Sequence, residues 1–163
     1  MLNNLESQIV DRLTQAAHRA AEGKFGDGGW TREMKQELAA LGHEHGYYVC
    51  GHDCHKFGQG EWLYDLTWLR NGGKNLLDVP LIFESEWRIK LPDIEEDFLK
   101  LIIGRAQHRV MVFQKPNDQA IHDANRRLVE MVREFSGSQT GDRYLILGWN
   151  YKTRKFVVES LIV

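Results

Sequence analysis

Long apolar runs are missing from this chain. No stretch approaches the roughly 20 residues that a membrane-spanning helix requires. Cysteine is scarce, with two in 163 residues. That is too few for the disulfide framework of a small secreted fold, so a reducing, cytoplasmic setting is the default expectation. The opening "MLNNLESQIVDRL" has an early acid and no continuous apolar core, which is not the pattern of a signal peptide. An excess of basic residues is missing too: 21 Lys and Arg stand against 23 Asp and Glu, for a net charge of −2. This argues against a chain that holds bare duplex DNA by charge alone, while leaving room for a local basic patch. There is no low-complexity segment and only 3 prolines, so wholesale disorder is not expected. No phosphate-binding glycine loop occurs, since "EGKFGDGG" lacks a Gly-Lys-Ser/Thr ending and follows no strand. No Gly-x-Ser-x-Gly nucleophile elbow is found either. What remains is 42% hydrophobic residues in a length that suits one domain, residues 1–163, with a core of its own.

The apolar periodicity divides this length. Leu2, Leu5, Ile9, Leu13, Ala16 and Ala20 recur at three- and four-residue steps, which predicts a helix over 2–22. "GKFGDGG" breaks it, and Trp30, Met34, Leu38 and Leu41 predict a second helix over 30–44. Strands are expected at 47–52, 61–70 and 79–87, the last two antiparallel across the turn signal "NGGKN". Pro92 opens a helix over 91–106, 108–115 reads as a strand, and Pro116 and Asn117 open a further helix. "RYLILGWN" and "KFVVESLIV" close the chain as two strands around a short turn. The order ααβββαβαββ predicts an α/β domain, a mixed α+β sheet covered by helices.

The stretch "LIFESEW" (81–87) stands out within this order. Three large apolar residues begin a core strand, yet Glu84 and Glu86 follow on one face, their Cα atoms about 7 Å apart. In the preceding segment Asp65 interrupts aromatic and apolar residues. If the two strands pair, the three acids can face one another, where mutual repulsion and burial would both oppose ionisation. A hard divalent cation removes both objections, and Mg²⁺ needs only a few oxygen ligands because it retains water. Such a site suits phosphodiester hydrolysis, in which the metal activates water and offsets charge on the leaving oxygen. Acids at open strand ends are also commonly just solvated.

An acid in one strand, then acid-x-acid in the next, then a helix and another strand, resembles the PD-(D/E)XK nuclease superfamily. The resemblance implies a restriction-endonuclease-like αβββαβ core over roughly residues 30–115, with an extra N-terminal helix and a C-terminal helix plus β-hairpin. It assigns Asp65 and Glu84 to Mg²⁺ or Mn²⁺, and it places Glu86 where the family usually has lysine. It also implies an acid from the preceding helix, for which Glu37 is the candidate, although Glu37 also reads as a border residue of an amphipathic helix. A substitute for the lysine could come from Lys100 in "DFLKL" or from Lys90. A helical wheel with Ile94, Phe98, Leu99, Ile102 and Ala106 buried sets Lys100 nearly opposite them. The implied activity is that of a nuclease (a hydrolase), with nucleic acid as partner, DNA ahead of RNA, and a homodimer left open. A catalytically inactive binding or regulatory module on the same fold is the alternative.

Other features read as structural. His43, His45, Cys50, His52, Cys54 and His55 lie within 13 positions. A zinc site drawn from Cys50, His52, Cys54 and His55 matches no familiar ligand spacing, so Cys50 is expected to pack as a small apolar residue. Trp62, Tyr64 and Trp68 are expected to pack against a helix, and Lys152, Arg154 and Lys155 to form a solvated turn.

Overall fold

A computed structural model describes residues 1–52, 58–59, 61–72 and 75–163, with the backbone alone at 58, 59 and 72. Among the described residues there are four helices and seven strands, so the chain is of mixed α/β class. They fall into two compact units, residues 1–83 and 84–163, and strand β4 runs unbroken through the boundary.

The first unit opens with α1 (Asn4–Glu22) and α2 (Asp27–Glu44). A capping box starts α1: the Asn3 side chain accepts from the Glu6 amide, and the Glu6 carboxylate accepts from the Asn3 amide. One face of α1 then buries Ile9, Leu13, Ala16, Ala17 and Ala20. The two helices run antiparallel, as shown by ion pairs from Arg12 to Glu44 and from Arg19 to Glu33. The break between them is shorter than "GKFGDGG" suggests, because α2 begins at Asp27 and takes Gly28 and Gly29 into its first turn.

Strands β1 (Tyr48–Cys50), β2 (Gly58–Gln59), β3 (Leu66–Gly72) and β4 (Asn75–Glu86) follow. Their order is β2-β1-β3-β4, with β2 parallel to β1 and the other pairs antiparallel. The short strand β2 is an addition to the expected order. The β3–β4 pairing across 71–75 is as expected, with turn residues 73 and 74 outside the described set. Helix α2 packs on β3 at close range: a Cβ on Gly42 would lie 2.6 Å from Trp68 Nε1, which donates to the Leu38 carbonyl at 3.0 Å. Glycine there permits the approach.

The second unit takes the end of β4, then α3 (Leu91–Ile103), β5 (His108–Lys115), α4 (Asp118–Glu134), β6 (Arg143–Asn150) and β7 (Lys155–Ile162). Strands β5 and β6 pair in parallel over eight residues, and α4 supplies the crossover that parallel neighbours need. β7 returns antiparallel to β6. Helix α4 starts on an Asn117 cap and packs over Gly148, where a Cβ would run into Ile121 Cγ2. Residues of β5 and β6 are buried almost without interruption, as expected of strands covered on both faces. The expected helix 91–106 ends at Ile103, capped by Gly104.

Candidate active site

Glu84 and Glu86 are buried, at 3% and 7% exposure, on the last turn of the pleat in β4. Alternation sends both to the same face, and side chains of α3 meet them there. Lys100 Nζ lies 3.4 Å from Glu84 Oε2 and 2.7 Å from Asp97 Oδ1. Lys100 and Asp97 are three residues apart, so they share one flank of α3. Asp97 also lies close enough to Glu86 for each carboxyl to shift the other's ionisation. Asp97 therefore links the lysine to the second glutamate, and the four side chains form the sequence Glu84–Lys100–Asp97–Glu86.

Arg88 closes the other end. Its Nη2 and Nε lie 2.7 and 3.2 Å from Glu86 Oε2, and its backbone amide donates to Glu86 Oε1 at 2.7 Å. Arg88 Nη1 also reaches Asp93 at 3.2 Å. The segment that leads from β4 to α3 is itself tied down, because Gln114 Nε2 donates to the Trp87 carbonyl and Lys115 Nζ to the Ile89 carbonyl.

Electrostatics follow from this layout. Burial opposes ionisation of Glu86, but the hydrogen bonds and charge of Arg88 outweigh it and hold the carboxyl below the ordinary glutamate value. Asp97 moves the other way: burial raises it, Lys100 offsets part of that, and the neighbouring Glu86 charge adds to it. Burial also works against the Lys100 ammonium, yet Asp97 and Glu84 together keep it above the ordinary lysine value. Lys115, facing a carbonyl, is pushed down by burial.

Of the remaining expected residues, Lys90 is the N-cap of α3, and the acids, aromatics and Cys/His group belong to the first unit. Asp65 is half-buried and sits in the bend just before β3, not within a strand. It immediately precedes Leu66, which pairs with Phe83, and Glu84 immediately follows Phe83. Glu37 is engaged at both oxygens, by Arg19 Nη2 at 2.6 Å and Arg12 Nη1 at 3.3 Å. Trp68 packs against α2 as expected, whereas Trp62 is 56% exposed. Cys50 is buried, and burial raises its thiol pKa. His45 Nε2 bonds Gln8 at 2.8 Å and its ring stacks on Tyr47. Cys54 and His55 lie outside the described residues.

The wheel for α3 needs correcting at two positions: Ala106 falls beyond the helix and is half-buried, and Leu99 trades places with Leu101. Leu99 is half exposed, while Leu101 is fully buried. Lys100 is on the flank at 46% side-chain exposure, and its long side chain reaches back to β4. Asp97 and Arg88 were not singled out from the sequence. The available signal was their spacing, three residues before Lys100 and two after Glu86, and only the contacts give it meaning.

Among the described residues, no group of three or more His, Cys, Asp and Glu side chains is arranged to hold a metal ion. Mg²⁺ commonly uses only one or two carboxylates and fills its octahedron with water and substrate oxygen. A buried carboxylate with hard oxygen donors, such as Glu84, fits that ion. Comparison with family models, curated proteins and solved structures finds no match for this chain.

Proposed function

We propose that the chain is a metal-dependent nuclease of the PD-(D/E)XK kind, with a restriction-endonuclease-like core, that hydrolyses phosphodiesters in nucleic acid, with DNA ahead of RNA as the candidate substrate. The reading is supported most by one observation: Lys100 of α3 extends to Glu84 of β4 at 3.4 Å. A lysine expected beside the second acid, and replaced there by Glu86, is thereby available from the following helix. Asp65 and Glu84 would hold Mg²⁺ or Mn²⁺. When bound, the ion would polarise the scissile phosphate and offset charge on the leaving oxygen. Lys100 would orient a water or phosphate oxygen by hydrogen bonding and stabilise the added negative charge. Glu86 would complete the site as an acceptor toward that water once the exposed Arg88 side chain turns away from one of its oxygens, and Asp97 would fix the position of Lys100. Glu37 is left out, because Arg12 and Arg19 already engage both its oxygens.

The test is incubation of the purified chain with plasmid, single-stranded DNA and RNA across a Mg²⁺ and Mn²⁺ series, with calorimetry of metal binding in parallel. Cleavage that vanishes in Asp65→Ala and Glu84→Ala is expected. No cleavage with any metal, together with no metal binding, would overturn the reading.

The second reading is a binding or regulatory module on the same fold that has lost catalysis. The Arg88 clamp on Glu86 favours it, since a carboxylate held by a bidentate guanidinium and a backbone amide resembles a structural ion pair. It predicts a partner whose binding needs no metal and survives Glu84→Ala.

A further inference from the structure

Helix α3 presents a second face that the candidate site does not use. Pro92, Glu96, Leu99 and Ile103 follow one another at steps of four, three and four residues, and all are exposed. That spacing lines them along one stripe. Leu99 is 50% and Ile103 71% exposed. Beside them Phe135 and Met131 help line a groove of about 430 Å³ between α3 and α4. The groove continues past the end of α3 into a hollow of about 320 Å³ that includes Arg105. Arg127 forms an ion pair with Glu95 at 2.7 Å and approaches Glu134 at 3.9 Å along the groove's side, so charge lies on the rim and the floor stays apolar. An apolar centre with a charged rim is the anatomy of a protein interface.

We propose that this face docks a second copy of the chain, α3 against α3 about a two-fold axis with the helices antiparallel. The charges select this occupant and this direction. Glu96 lies one turn in from the Pro92 end of the stripe, and exposed Arg105 lies just beyond the Ile103 end. From Glu96 to Ile103 is about 10 Å along the axis, at roughly 1.5 Å per residue. Antiparallel docking sets each Glu96 against the partner's Arg105, and the two-fold repeats the contact. Parallel docking would set like charge against like. Leu99 and Ile103 meet at the centre, where each chain fills the other's groove. The contact stands whether or not the chain cleaves nucleic acid.

Sedimentation velocity on the full chain, from about 1 to 100 μM, tests this. The wild type is expected to be a dimer over most of that range. Ile103→Asp is expected to weaken association by about a hundredfold or more, since it buries a charge at the centre. Leu99→Glu is a second variant with the same expected result, and circular dichroism checks that both remain folded. Glu96→Arg and Arg105→Glu are each expected to weaken association several-fold, and combining them is expected to restore it. A wild type that stays monomeric at about 100 μM, dimers that survive both central substitutions, or a double swap that fails to recover would each overturn the proposal.

Discussion

Each unit contains acids held by basic side chains, but the two arrangements differ in which partner is buried. In the first unit, Arg12 and Arg19 join Glu33, Glu37 and Glu44 across the outer side of the α1–α2 hairpin. Every member keeps substantial contact with water, from 17% to 53% side-chain exposure. In the second unit, Glu84 and Glu86 are only 4% and 8% exposed, whereas Lys100 and Arg88 are 46% and 63% exposed. Surface pairs cost little to form and return little. Burying a carboxylate costs much more, and partners such as the half-exposed lysine 3.4 Å from Glu84 are needed to offset it. The first arrangement joins two helices. The second holds carboxylates inside a core strand, where apolar residues are the rule, and the proposed chemical role rests on that placement.

The sharpest way to break this contrast is Glu84→Gln. Cleavage is expected to fall on the order of 10²- to 10³-fold while thermal stability holds or rises, because a buried charge has gone. A large loss of stability would mean that Glu84 is structural after all. Lys100→Met comes next, with a loss of about 10²-fold in cleavage and a loss of stability that adding Glu84→Gln relieves, since the substitution leaves a buried carboxylate without its lysine. Plasmid nicking and chemical denaturation read the two effects separately.

A smaller effect is expected from pH. Glu86 ionises more readily in the folded chain than the ordinary glutamate value of 4.5. The stabilisation from Arg88 is therefore present above that value and lost as pH falls through the folded one. The difference in melting temperature between wild type and Glu86→Gln should be largest above about pH 5 and shrink in more acidic solution. A difference independent of pH would remove the Arg88 clamp as its cause. The smallest effect belongs to the first unit: Arg12→Ala is expected to cost about 0.5–1 kcal/mol and leave cleavage unchanged. A loss of cleavage there would erase the contrast and return Glu37 to the site.

Much of this was legible in the sequence, and the misses have local causes. The 143–150 strand falls where the segment "RYLILGWN" predicts it, because its residues have no competing signal. The 61–70 segment does not: aromatic content suggests a strand throughout, but pairing begins only at Leu66, which leaves Asp65 in a bend. Ladder hydrogen bonds need a neighbour in register, and composition carries no record of that. For α3, Leu99 and Leu101 are the same residue type two positions apart, about 200° around the helix. Periodicity alone did not decide which one faces inward.

The sequence by itself determined the class of the chain, the order of its main elements and the oddity of two glutamates on one face of a core strand. These depend on residue type and spacing, which act locally. Only the tertiary structure decided that Glu37 belongs to a surface clasp, that Lys100 reaches Glu84, and that Asp97 and Arg88 hold the ends of the network. Those outcomes depend on distances between residues far apart in the chain, and a side chain's charge takes its role from what packing brings beside it.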